Sequence, residues 1–208
     1  MNTEFHKIRR LPPYVFEQVN RSKAALRAEG ADIIDLGMGN PDLPTPKHIV
    51  DKLVETARKP DVNGYSASRG IPGLRRAVTD YYKRRFDVTL DKNKEVIVTL
   101  GSKEGFANLA QAISAPGDVI LSPDPSYPLH SFGFIIAGAS IRAVPAPSPE
   151  EYLRNLEKAV KHCVPPPTAM VLCYPSNPTA EVCDLEFYKD AVKFAKKHDL
   201  WILSDLAY

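Results

Sequence analysis

The chain has 208 residues, 44% of them hydrophobic and 25% charged, which is ordinary globular composition and enough length to bury a real core. Lys and Arg total 27 against 25 Asp and Glu, so the formal charge of +2 creates no field that would hold nucleic acid or a membrane surface.

The opening Met1-Asn-Thr-Glu-Phe-His-Lys7 has no apolar h-region, and no later stretch approaches eighteen apolar residues. A cytoplasmic chain is the expectation. Leu11-Pro-Pro-Tyr14 reads as an extended arm. Tyr14 to Gly30 follows as a helix, with Val15, Val19, Ala24 and Leu26 near helical spacing and Gly30 placed for a left-handed C-cap. Asn20-Arg21-Ser22 matches a glycosylation pattern by chance inside that helix. Ile33-Ile-Asp-Leu36 predicts a short strand, and Gly37 to Pro44 is too rich in Gly and Pro to be anything but loop. Thr45 is placed to cap a helix that starts at Pro46 and carries Ile49, Val50, Leu53, Val54 and Ala57.

After a loop from Pro60 to Gly70, helical periodicity returns over Pro72 to Phe86. The rhythm then alternates. Strands are expected at Glu95–Leu100, Val119–Ser122, Ser140–Val144, Ala169–Cys173 and Trp201–Ser204. Helices are expected between them at Ser102–Ser114, Tyr127–Ala137, Pro149–His162 and Leu185–His198. Ser148-Pro-Glu-Glu151 marks one start strongly, with Ser at the N-cap, Pro at N1 and Glu at N3. Strands alternating with helices in this way imply a three-layer α/β fold with a mainly parallel sheet. Cys163, Cys173 and Cys183 form no C-x-x-C pair and are odd in number, so they read as reduced, buried small hydrophobes.

Chemistry-bearing residues gather in the loops. Thr99-Leu-Gly101-Ser102-Lys103-Glu-Gly105 stands where a strand hands over to a helix, so backbone N–H groups, a hydroxyl and an ammonium converge on an anion site. On this motif alone, a Gly turn with a Ser N-cap and a solvated lysine weighs equally. Ser122-Pro-Asp-Pro-Ser-Tyr127-Pro128 presents a rigid aromatic face that could stack on a planar ligand; taken singly it reads first as a loop tyrosine packed on its neighbours. Ser176-Asn177-Pro178 offers an amide, with a plain turn or a cis bond as the structural alternatives. Asp205 ends the apolar run Trp-Ile-Leu-Ser, where a carboxylate needs a cation or donors that the sequence does not name. Gly39 could let a backbone N–H approach a ligand, or serve a plain turn. The five histidines are scattered, with neither metal nor nucleophile spacing, and read as solvated or core positions.

In order these loops read Leu-Gly-x-Gly-Asn-Pro-Asp, Tyr-Ser-x-Ser-x-Gly-Ile-Pro-x-Leu-Arg, Gly-Ser-Lys-Glu-Gly, Pro-x-Tyr-Pro, Ser-Asn-Pro-Thr and Ser-Asp-x-x-Tyr. That series resembles the class I/II aminotransferases of fold type I, which use pyridoxal 5'-phosphate, and the resemblance covers essentially the whole chain. It implies that Gly101, Ser102 and Lys103 hold the cofactor phosphate and that Tyr127 stacks on the pyridine ring. Asn177 and Tyr208 would bond the phenolic oxygen, and Asp205 would pair with the protonated ring nitrogen. Gly39 matches the backbone donor to the substrate carboxylate. Tyr65 matches a tyrosine that reaches the phosphate of a neighbouring subunit, so a homodimer with shared sites is implied.

The resemblance further implies an N-terminal arm and small-domain segment over residues 1–45, and a cofactor-binding large domain over 46–208. The family's Schiff-base lysine lies in a Ser-x-Ser-Lys stretch beyond the position of Tyr208, so the expectation is an N-terminal fragment with no catalytic residue of its own. Within the family, Arg10–Phe16, Met38–Asp42, Gly64–Gly73 and Tyr174–Ala180 look most like bacterial alanine aminotransferases, with aspartate, LL-diaminopimelate and methionine enzymes as close relatives. Two rivals stand beside this. A methyltransferase is suggested by Ile34-Asp-Leu-Gly-Met-Gly39 and faintly by Asn177-Pro178, but Pro41 and Pro44 block the helix that such a loop must enter. The other is a non-catalytic module on the same fold.

Overall fold

The computed structural model describes residues 4–37, 39 and 41–208. Met38 and Asn40, inside the first of the loop motifs, lie outside the described residues. Two compact units divide the chain: Pro13–Ile97, and Met1–Pro12 together with Val98–Tyr208.

The Pro13–Ile97 unit holds α2 (Val15–Ala28), α3 (Lys47–Ala57) and α4 (Pro72–Phe86); α1 (His6–Arg9) precedes it and belongs to the other unit. Helix α2 ends as its glycine requires. Gly30 takes φ +85°, and the N–H groups of Gly30 and Ala31 return to the carbonyls of Arg27 and Leu26 at 3.1 and 3.0 Å. Helix α3 departs from expectation, because Pro46 rather than Thr45 occupies the N-cap and no side chain caps it. Its apolar residues Ile49, Val50, Leu53 and Val54 are all exposed. Arg75 of α4 ties the preceding loop down, its guanidinium donating to the carbonyls of Gly70 and Lys92 at 3.1 and 2.7 Å.

The strand expected at Ile33–Leu36 does not form. The Asp35 carboxylate accepts from Gly37 N–H at 3.0 Å and from Lys23 Nζ at 2.7 Å, a local bonding pattern that competes with a ladder. These bonds, that from Lys23 foremost, hold the Asp35 carboxyl below its ordinary range.

The second unit is the α/β layer. Helix α5 (Ser102–Ile113) leads into β1 (Val119–Asp124), α6 (Leu129–Ala137), β2 (Ser140–Pro145), α7 (Pro149–Lys161), β3 (Ala169–Cys173), α8 (Leu185–His198) and β4 (Trp201–Asp205). All pairings are parallel in the order β2-β1-β3-β4. Glu95–Leu100 forms no strand. Its end is engaged by the start of α5 instead: Leu100 N–H donates to the Glu104 carboxylate at 2.6 Å, and Thr99 Oγ1 donates to the Gly101 carbonyl at 2.9 Å.

Alternation along each strand sorts the core into two layers. Leu121, Met170 and Leu172 face α7 and α8, where they meet Tyr152, Leu156, Phe187, Ala191 and Phe194. Ile120, Ala169, Val171 and Leu203 face α5 and α6, where they meet Ala110 and Phe134. Strand β3 is buried along its whole length, which its unbroken apolar run Ala-Met-Val-Leu-Cys anticipates for a strand covered on both sides. The buried Tyr152 hydroxyl donates to the Val171 carbonyl at 2.9 Å, and burial holds that phenol far above its ordinary range. The caps agree with the sequence at α7, where Ser148 Oγ accepts from Glu151 N–H at 3.3 Å. Asp184 does the same for α8, accepting from Phe187 N–H at 2.9 Å.

Leu156→Ala, at a fully buried position, is expected to cost about 2–5 kcal/mol, and Asp184→Ala about 1 kcal/mol. Urea midpoints measured on both variants check the ranking, and a cap loss larger than the core loss would contradict it.

Candidate functional site

The chain runs from β1 outward to β2 and then returns to the other side of β1 to form β3. The strand order therefore reverses between β1 and β3, and the crevice beyond their C-terminal ends is where open parallel sheets take ligands. The loops that follow β1, β3 and β4 carry Tyr127, Asn177 and Tyr208.

Cys173 and Asp205 are the last residues of β3 and β4 and are register partners. Counting back by twos, they fall on the α5/α6 face with Val171 and Leu203. From α6, His130 reaches the same point, its Nε2 lying 2.9 Å from Asp205 Oδ2. The His130 side chain is fully buried and that of Asp205 is 10% exposed. The partner that the sequence left unnamed for Asp205 is thus a histidine 75 residues earlier. His130 is a core position, as expected, but it is also a polar partner, which spacing alone could not reveal. The imidazole is packed by Phe106 of α5 and by Tyr127, at ring-centroid distances of 5.3 and 5.9 Å. Burial pushes the Cys173 thiol above its ordinary range; a backbone bond from Asn177 opposes this, and the Asp205 carboxylate adds to it.

Asn177 and Tyr208 also meet. Asn177 Nδ2 donates to Tyr208 Oη at 2.9 Å, which leaves the phenol proton available to a further acceptor. The Asn177–Pro178 bond is cis. Lys103 Nζ lies 5.6 Å from the centroid of the Tyr127 ring, so the ammonium of the α5 motif and the aromatic face after β1 are neighbours.

At the start of α5, Gly101 rather than Ser102 is the N-cap, with φ +87°, and no side chain caps the helix. The reading of Ser102 as an N-cap is overturned. The N–H groups of a helix's first turn have no carbonyl partner within the helix, and a glycine at the N-cap offers them no side chain, so the end is electropositive. Glu104 and Thr99 brace this turn through the bonds at Leu100 and Gly101. Gly105 is confined by the same group, since a Cβ there would meet Thr99 Oγ1 at 2.9 Å.

In the other unit, Gly39 and Tyr65 are exposed, and Arg69 donates to the Asn93 carbonyl. Among the described residues no helix begins between Gly39 and Lys47, which removes the strand–glycine-loop–helix unit that the methyltransferase reading needs.

The family model for aminotransferase class I and II matches residues 31–208. The chain belongs to that family. It is 64% identical over 205 residues to the AatC protein of Rhizobium meliloti (strain 1021), covering 99% of this chain and 51% of the relative. It is 50% identical to the glutamate-pyruvate aminotransferase AlaC of Escherichia coli (strain K12), covering 98% of this chain and 50% of that one. The substrate-bound BacF structure from Bacillus subtilis superposes with a TM-score of 0.91 at 37% identity, over 100% of this chain and 53% of its own. Across these comparisons the aminotransferase chain spans about half the length of its relatives. The fold is accordingly the three-layer α/β fold of the fold type I large domain, incomplete relative to full relatives.

His130→Leu removes a hydrogen-bond partner from a largely buried carboxylate and is expected to cost about 1–3 kcal/mol. The double variant His130→Leu, Asp205→Leu should recover part of that loss, because no unpaired charge remains. Urea midpoints that fall further in the double variant than in the single one would contradict the pairing.

Proposed function

We propose that this chain supplies the cofactor-holding part of a pyridoxal-phosphate-dependent transaminase that moves an amino group from an amino acid to a 2-oxo acid. The observation that carries the reading is Asp205, a carboxylate 10% exposed at the end of β4, oriented by His130. When bound, pyridoxal phosphate acts as an electron sink for the substrate's α-carbon, provided its ring nitrogen stays protonated. Asp205 would hold that proton by ion pairing, and His130 would fix the carboxylate. The uncapped start of α5 fits a phosphate at Gly101, Ser102 and Lys103. Tyr127 would cover one face of the ring, and the bonded pair of Asn177 and Tyr208 would hold the phenolic oxygen.

In the same reading Gly39 donates to the substrate carboxylate and Tyr65 reaches the phosphate of a neighbouring subunit, so the working unit is a homodimer. Residues 1–45 then form the arm and small-domain segment, and 46–208 the large domain. Lys103 serves the phosphate and is not assigned the role of the lysine that joins the cofactor. For the amino donor we favour alanine with 2-oxoglutarate. The similarity to a glutamate-pyruvate aminotransferase supports it over the LL-diaminopimelate aminotransferases, such as the one from Moorella thermoacetica, which are about 40% identical.

Titration of the protein with pyridoxal phosphate, followed by absorbance, tests the cradle. A charged hydrogen bond is worth about 1.5–3 kcal/mol, so Asp205→Asn is expected to weaken cofactor binding about tenfold or more. Gly105→Ala should weaken it as well by displacing Thr99 under the phosphate turn. Wild-type affinity in the Asp205→Asn variant would reject the reading. For the whole protein, a panel of amino donors is expected to put alanine first, and aspartate or diaminopimelate far ahead of alanine would overturn that choice.

A further inference from the structure

Within the Pro13–Ile97 unit, one guanidinium ties two loops together. Arg75 donates from Nε to the Gly70 carbonyl at 3.1 Å, and from Nη1 to the Lys92 carbonyl at 2.7 Å and to Asn93 Oδ1 at 3.3 Å. Arg69 adds a second tie by donating to the Asn93 carbonyl. Arg75 stands in the first turn of α4, where the helix end is electropositive and disfavours a cation. The acceptors from the two loops compensate for that placement and for the half-burial of the side chain. Its neighbour Arg76 is exposed.

The tie ends on the loop that carries Tyr65. Gly70 takes φ +86°, and its N–H closes a turn on the Ala67 carbonyl at 2.8 Å. Arg75 therefore grips a closed turn at its last carbonyl. Tyr65 stands just before that turn, and its side chain is fully exposed, so packing does not place it and the loop backbone must. Gly64-Tyr-Ser-Ala-Ser-Arg-Gly70 has few apolar groups with which to fix itself, which leaves the two arginines as its anchors.

We propose, on the reading that Tyr65 reaches the cofactor phosphate of a neighbouring subunit, that Arg75 is the positioning residue for that contact, with Asn93 as its anchor on the second loop. When the tie is cut, loop conformations that direct Tyr65 elsewhere become populated, and the apparent affinity for the cofactor falls with the competent fraction. General stabilisation by Arg75 would behave differently in two ways. A positioning loss cannot exceed the loss caused by removing the Tyr65 hydroxyl, and it falls on the phosphate site of the other subunit.

Titration of the full-length apoprotein with pyridoxal phosphate, followed by absorbance, reads both. Tyr65→Phe removes a hydrogen bond to a charged group and is expected to weaken binding about tenfold. Arg75→Gln is expected to weaken it severalfold in otherwise wild-type protein, and to add nothing in the Tyr65→Phe background. Asn93→Ala should act in the same direction and carries the test if Arg75→Gln fails to fold by circular dichroism. Arg76→Gln should bind as wild type does. Co-expressed hybrid dimers of an Arg75→Gln subunit and a Lys103→Ala subunit should hold one site of wild-type affinity, because the unaltered loop of one then serves the unaltered phosphate turn of the other. Wild-type affinity in Arg75→Gln, an equal loss in both backgrounds, or hybrids without a wild-type site overturns the positioning role. Hybrids of Tyr65→Phe with Lys103→Ala examine the underlying reading by itself. If these recover a tight site and the Arg75→Gln hybrids do not, only the positioning role falls; if neither recovers one, both fall.

Discussion

Strand β3 sits between β1 and β4, covered on both faces, and the positions of the candidate site residues in the α/β layer follow from that burial. A strand that must satisfy every backbone group by ladder bonds, and every side chain by packing, has little freedom in register. Register then decides chemistry. Because Cys173 aligns with Asp205, a thiol and a carboxylate end on the same face of the sheet, and the helix covering that face supplies His130. A shift of one residue along β4 would turn the aspartate toward α7 and α8.

The two layers of the core serve different ends. On the α7/α8 side the large apolar cluster around Leu156 and Phe194 anchors the sheet. On the α5/α6 side the apolar cluster is smaller and gives way, toward the strand ends, to polar groups at Ser122, Cys173 and Asp205. Polar groups kept at low exposure interact strongly with whatever approaches them, since little water screens them. That is why one carboxylate at the end of β4 would suffice to pair with a cationic ring in the proposed transaminase.

Much of this was legible in the chain itself. The alternation of apolar runs from Val119 onward marked four strands and the helices between them, and those strands form with boundaries close to expectation. Gly30 and Ser148 were readable as caps because each has one conformational or hydrogen-bonding role that few other residues fill. The failures have physical causes. Ile33–Leu36 and Glu95–Leu100 have the composition of strands, but a strand exists only where a neighbour bonds it, and the bonds seen at their ends are local ones, from Gly37 N–H to Asp35 and from Leu100 N–H to Glu104. Thr45 looked like a cap and lost the position to Pro46.

The motifs themselves, Gly-Ser-Lys-Glu-Gly, Ser-Asn-Pro-Thr and Ser-Asp-x-x-Tyr, are local in the chain, and the family match over residues 31–208 agrees with what they implied. Family and fold class were therefore determined by sequence alone, because short-range patterns of turn, cap and alternation carry them. Which groups touch was decided only by tertiary structure. The bonds of His130 to Asp205 and of Asn177 to Tyr208 span 75 and 31 residues, and no local pattern encodes a contact set by strand order and helix placement.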